Sequence, residues 1–128
     1  MSYDISKTLE TTPEQARERV MQALTSEGFG VLTEIDVQAT MKKKLGHNMR
    51  YYAILGACSP ELAWQALNRE PKIGTMLPCN VVVRELEDGK VEVSAVDPQA
   101  SMQAVENPDL GEVAREVKVR LQRVIDAL

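Results

Sequence analysis

The sequence predicts an α+β domain in the order β-α-β-(short α)-β-α-β-β-α, with a mainly antiparallel five-stranded sheet and helices packed largely on one face. Three observations carry that reading. Apolar periodicity switches along the chain between a strand-like two and a helical 3.6. An Asp88-Gly89 pair between two valine-rich runs marks a tight antiparallel hairpin. A final apolar stripe of about five turns supplies a helix long enough to cover a sheet. Strands and helices mixed in this way favour a sheet with one helical face, and leave the other face wet or covered by another chain.

Taken in order, Tyr3, Ile5 and Leu9 alternate with polar residues and read as a first strand over 2–9. Thr12 opens a helix, with Pro13 at the first helical position and Gln15 completing a capping box. Ala16, Val20, Ala23 and Leu24 recur at helical spacing until Gly28 stops the element. Phe29, Val31, Thr33 and Ile35 alternate as a second strand. Val37, Met41 and Leu45 share one face of a short helix closed by Gly46.

Residues 50–57 form a third strand with so little alternation that both of its faces are expected to be covered. Ser59 caps the next helix, Pro60 starts it, and Leu62, Ala63, Ala66 and Leu67 point inward before Pro71 ends it. Leu77 to Glu87 is the fourth strand, and Val91, Val93 and Ala95 mark the fifth. Asn107-Pro108-Asp109 caps the last helix, whose stripe is Leu110, Val113, Ala114, Val117, Leu121, Val124, Ile125 and Leu128. On the bare sheet face the sequence places Tyr51, Tyr52 and Val82, which suggests a homodimer.

At 128 residues the chain fits one domain spanning 1–128. A chain of this size buries roughly 65–70% of its unfolded surface, enough for a core without staples. Fifteen Lys and Arg against 19 Asp and Glu leave a net charge of −4, which disfavours a dedicated nucleic-acid binder. The first residues lack an apolar signal region, and the longest apolar stretch, 73–83, falls well short of a membrane span, so a soluble cytoplasmic protein with no membrane partner is expected. In that reducing compartment the two cysteines, Cys58 and Cys79, are expected to be free. No CxxC, HExxH, GxSxG or phosphate-cradling glycine loop occurs, and the only histidine is His47.

The least ordinary stretches are Leu55-Gly56-Ala57-Cys58-Ser59-Pro60 and Met76-Leu77-Pro78-Cys79-Asn80-Val81. With Ala66-Leu67, Glu70-Pro71, Gly74 and Val82-Val83, they make the chain resemble a bacterial and archaeal family of domains of unknown function, numbered three hundred and two. Met41-Lys42-Lys43-Lys44-Leu45-Gly46 and Asp97-Pro98 extend the likeness over nearly the whole chain. The resemblance implies a TATA-binding-protein-like α+β fold, often dimeric, with no established activity. Two positions depart from the family pattern. Ser59 stands where Asn is common, a neutral exchange at a helix cap. Trp64 stands where some relatives have His, which removes a ligand from any metal or haem reading.

Cys58 ends a strand just before a helix N-terminus, where backbone N–H groups and the helix dipole would lower a thiol pKa. Cys79 begins a strand after the rigid Pro78. If the two strands are neighbours, the sulfurs approach one another and could act as a reactive thiol, a redox pair or half of a soft-metal site. The competing reading, that both are small buried hydrophobes, is the commoner use of free cysteine and is the one favoured. His47 as a third ligand is outweighed by its reading as a solvated loop residue, so neither metal nor cofactor is expected.

Ser59 and Asn80 flank the thiols and join them as ligand-binding candidates. Asp97 could add a carboxylate, although Asp-Pro is more often a turn or the start of a helix. Lys44 and Arg50, with Lys42 and Lys43, form a cationic run able to receive an anion, against the commoner reading as a solvated face. Met41, Met49, Met76 and Met102 are expected in the core in preference to an adaptable pocket. Trp64 is expected to pack at a helix edge or dimer contact. These readings favour a non-catalytic homodimeric module for a small ligand or partner. The alternative is thiol-dependent sulfur transfer or redox sensing through Cys58 with Cys79.

Overall fold

A computed structural model describes residues 2–128. The chain runs β1 (Asp4–Leu9), α1 (Pro13–Ser26), β2 (Gly30–Asp36), α2 (Val37–Leu45), β3 (Tyr52–Cys58), α3 (Pro60–Arg69), β4 (Cys79–Glu85), β5 (Val91–Val96), α4 (Pro98–Ser101) and α5 (Gly111–Asp126). Its five strands form one sheet in the order β1-β5-β4-β3-β2, with every neighbouring pair antiparallel. This is the α+β architecture predicted from periodicity. It adds the four-residue α4 and short 3₁₀ turns, one of which, Pro71–Met76, buries Ile73.

One face of the sheet carries the core. Leu55 and Ala57 of β3, Val81 and Val83 of β4, and Val91, Val93 and Ala95 of β5 alternate inward and are fully buried. Against them lie Ala16, Val20 and Leu24 of α1, Leu62 and Ala66 of α3, and the long apolar stripe of α5. That stripe matches the predicted one, with Val113, Ala114, Val117, Leu121, Val124 and Ile125 buried. On α3 the expected inward set is too wide: Leu67 is 40% exposed. Tyr3, expected within the first strand, lies just before β1 and is exposed.

The other face has no helix over it. Tyr52 and Ile54 of β3 and Val82 of β4 lie there half-buried, so β3 is not covered on both sides as its unbroken apolar run suggested. Tyr51 does not join Tyr52, because consecutive strand residues point to opposite faces. It packs against the helix-side core, near Arg17 and Glu34.

β2 departs from simple alternation. Val31 pairs with Ala57, but Thr33, two residues on, pairs with Gly56. Leu32 is the extra residue of this bulge and stands 67% exposed. Val31 therefore faces the helices, whereas Thr33 and Ile35 face away, a parity switch that a bulge imposes.

The caps follow local chemistry with three exceptions. Thr12 accepts from the Gln15 N–H at 3.2 Å, but the Gln15 side chain meets the Thr11 hydroxyl instead of closing a box with Thr12. Ser59 has N-cap backbone geometry, yet its hydroxyl makes no bond to α3. Asn107 accepts from Asp109 at 3.0 Å and so caps the 3₁₀ turn Pro108–Leu110 instead of the last helix; α5 begins at Gly111 with no side-chain cap. Gly89, at φ +85°, supplies the left-handed residue of the β4–β5 hairpin.

Candidate functional site

The two segments singled out from sequence do meet. Ala57 and Cys79 are directly opposite in the β3–β4 ladder, which sets Cys58 diagonally beside Cys79 at one end of the sheet. Cys79 is buried on the helix side; Cys58 is part-buried, and no disulfide joins them. Both line a small cavity with Phe29, Ser59, Leu62, Leu77, Met102 and Val117. Its volume is about 30 Å³, and its walls are almost entirely carbon and sulfur. Such a space admits a water or two at most and offers them no partners. It does not hold a metabolite.

The electrostatics run opposite to the expected activation. Burial pushes the Cys58 thiol up instead of down. Burial, with the neighbouring Cys58, raises Cys79 to about 11. The expected lowering is not found, because desolvation is what shifts the Cys58 thiol and it disfavours the thiolate. Among the described residues, no group of three or more His, Cys, Asp or Glu is placed to hold a metal ion.

The remaining candidates divide between the two ends of the sheet. Asn80 and Asp97 lie at the thiol end. Asp97 caps α4 by accepting from Gln99 and Ala100, and Lys118 of α5 donates to it at 2.9 Å. Lys44, Arg50 and His47 precede β3, whereas Cys58 ends it. The length of that strand separates them from the thiols by roughly 20 Å. The structure therefore does not unite the cationic run with the cysteines. Trp64 is 68% exposed and does not pack against this chain's own helix edge. Of the four methionines expected in the core, Met102 is buried, while Met41, Met49 and Met76 are exposed.

The largest change of emphasis concerns the bare sheet face. Register aligns Ser6, Ser94, Val82, Ile54 and Ile35 in one row across all five strands. Beside this row lies a groove of about 450 Å³, lined by Tyr3, Asp4, Tyr52, Asn80, Val82, Arg84, Glu92, Ser94 and Val96. Arg84 donates to Glu92 at 2.9 Å, and the Ser6 and Ser94 hydroxyls meet at 2.7 Å. Tyr52, Val82 and Asn80 were singled out from sequence; Arg84, Glu92 and Ser94 were not. Their signal was present in the alternation of β4 and β5, which sets Val82 and Arg84 opposite to Val81 and Val83.

Among solved structures, this chain is similar to the crystal structure of an uncharacterized conserved protein, DUF302, from Bacillus stearothermophilus. The TM-score is 0.92 at 27% identity, covering 99% of this chain and 98% of that one. No curated protein matches. No helix is long and apolar enough to cross a membrane among the described residues. The profile of the family described as domain of unknown function DUF302 matches residues 5–128, and with the five-stranded fold shared across the neighbouring structure, the chain belongs to that family.

Proposed function

We propose that the protein is a non-catalytic, homodimeric module that holds a small polar ligand or partner on the uncovered face of its sheet. The observation carrying this reading is the groove beside Val82. At about 450 Å³ it falls within the range of small-ligand sites, whereas the thiol cavity does not. Its chemistry is mixed in the way such sites require. Tyr52 and Val82 offer apolar contact, while the Asn80 amide, the Ser94 hydroxyl and the Arg84–Glu92 pair offer directional hydrogen bonds.

A thermal-shift screen of small metabolites and anions tests the proposal. The expected result is at least one compound that raises the melting temperature of the native chain but not of an Asn80→Ala/Ser94→Ala variant. Silence across a broad panel, or a shift that survives the double substitution, overturns it. The alternative thiol chemistry draws support from the adjacency of Cys58 and Cys79. The upward pKa direction at both sulfurs weighs against it.

A further inference from the structure

We propose that the segment from Val37 to Arg50 is a docking arm for a second copy of this chain. The inference rests on the homodimeric half of the reading above, and it moves the contact between copies off the sheet face. α2 has nine residues and buries none of them, and the chain behind it is exposed from Gly46 to Arg50. The helix is nonetheless amphipathic. Val37, Met41 and Leu45 recur at i, i+4 and i+8, with Met41 37% and Leu45 62% exposed.

A helix this short is marginal in water unless tertiary packing supports it. Its ends are well made: Asp36 accepts from Ala39 at 2.8 Å, and the Gly46 N–H returns to Lys42 at 3.0 Å. What is missing is cover for the apolar stripe.

Charge identifies the cover. Residues 37–50 carry Lys42, Lys43, Lys44 and Arg50 and no acid, leaving 11 cations against 19 acids, a net of −8, in the rest of the chain. The β4–β5 hairpin stands beside the arm, because the Glu85 N–H donates to Tyr51 O at 3.0 Å and Tyr52 pairs with Arg84. It carries Glu85, Glu87 and Asp88, while its two cations, Arg84 and Lys90, are paired with Glu92 and Glu10. A cleft of about 430 Å³, lined by Met49, Arg50, Leu86 and Glu87 among others, separates the two.

A two-fold contact needs a patch that complements itself, so that each element meets its counterpart on the other copy. A cationic, apolar arm next to an acidic hairpin satisfies that condition. One rotation sets each arm against the opposite hairpin and covers Met41, Leu45 and Met49 of both copies. The contact is small and charge-dependent, so its affinity falls as salt screens it.

Sedimentation equilibrium of the full chain tests this. The native protein is expected to form a dimer whose Kd rises about tenfold or more when salt is raised into the range that screens contacts beyond a few Å. M41D/L45D is expected to be monomeric and to melt where the native chain melts when diluted below its dimer Kd, since neither side chain is buried, while Val82→Asp on the sheet remains dimeric. K42E/K43E/K44E alone is expected to be monomeric and to form a mixed dimer with E85K/E87K. That mixed dimer decides the matter even if M41D/L45D fails to fold. A dimer that persists unchanged in the arm variants, or is lost only in Val82→Asp, overturns the arm while leaving the homodimer intact. A native chain that is monomeric at every concentration overturns the homodimer itself, and the arm with it.

Discussion

Lys118 of α5 donates to Asp97 Oδ2 at 2.9 Å, fastening the longest helix to the end of β5. The other oxygen accepts from the Gln99 and Ala100 N–H groups at 3.0 and 3.3 Å. Burial opposes ionisation of this carboxyl, but the Lys118 bond and the two backbone N–H groups outweigh it, so Asp97 titrates below the ordinary Asp value. Both oxygens are engaged within the fold, so Asp97 fastens α4 and α5 to the end of β5.

The pH dependence has a definite sign. A carboxyl whose folded pKa lies below its unfolded value stabilises the fold above that unfolded value, about 3.9, and loses the contribution as pH falls through the folded pKa. Asp97→Asn keeps a capping side chain and loses the charge. The variant is expected to be about 1 kcal/mol less stable than the native chain near neutrality. Urea melts at stepwise lower pH should show the gap between the two narrowing below about pH 4. A gap that stays constant to acid pH contradicts the assignment.

Gly56 leaves no room for a side chain. A Cβ there would collide with the Thr33 hydroxyl and lie 2.7 Å from Pro78 Cγ. Thr33 sits opposite Gly56 because of the bulge at Leu32, and Pro78 leans over the same spot from the segment before β4. Gly56→Ala is expected to cost about 1–3 kcal/mol through overpacking. Adding Thr33→Ala should return part of the loss but not all, since Pro78 remains. Denaturant melts of the single and double variants provide the check; full recovery would show that Pro78 yields freely.

The two thiols differ in environment, and their reactivity should follow. Cys79 is buried with its thiol raised to about 11, and Cys58 is part-buried and also raised. Alkylation of the folded chain near neutral pH is expected to be slow at both, and slower at Cys79, because the reactive thiolate is scarce and the deeper sulfur is covered. Cys79→Ser should destabilise by about 1–3 kcal/mol, its hydroxyl lying among apolar neighbours, with a smaller effect at Cys58→Ser. Mass spectrometry after timed alkylation across pH measures the first expectation. Rapid labelling of Cys58 at neutral pH would revive thiol chemistry at this end of the sheet.

What could be read ahead of the structure was whatever a residue's own neighbours in sequence decide. The stripe of α5 and the Asp88-Gly89 hairpin depend on spacing and local turn chemistry, and both are found as expected; Asn107 caps too, but a 3₁₀ turn ahead of α5. The meeting of Ala57 with Cys79 was legible for a similar reason: one ends a strand and the other begins its neighbour. The misses concern partners that sequence does not reveal. Ser59 is buried yet its hydroxyl makes no bond to α3, and the bulge at Leu32 switches the parity of β2 so that Thr33 sits opposite Gly56. Lys44 and Arg50 were candidates for one ligand site with the thiols, and the length of β3 sets the two groups apart. The spacing of the α2 stripe is right for an amphipathic helix, but among the described residues Val37 is half-buried while Met41 and Leu45 stay exposed.

The end of α5 should decide whether the core assignment is sound. Leu121, Val124 and Ile125 are buried against the sheet, Arg123 donates to Glu27 at 2.8 Å, and the Leu128 carbonyl accepts from Lys7 at 2.6 Å. Each of the three buried side chains contributes about 1.5–3 kcal/mol of apolar transfer. Ending the chain after Arg120 therefore removes roughly 5 kcal/mol or more, comparable to the whole stability of a domain of this size. The shortened protein is expected to be largely unfolded at room temperature by circular dichroism. A chain ending at Asp126 keeps every buried residue of the helix and loses only the Lys7 contact and the half-buried Leu128, so it should melt within a few degrees of the native protein. If both truncations melt alike, the last turns of α5 do not bear on the core as described.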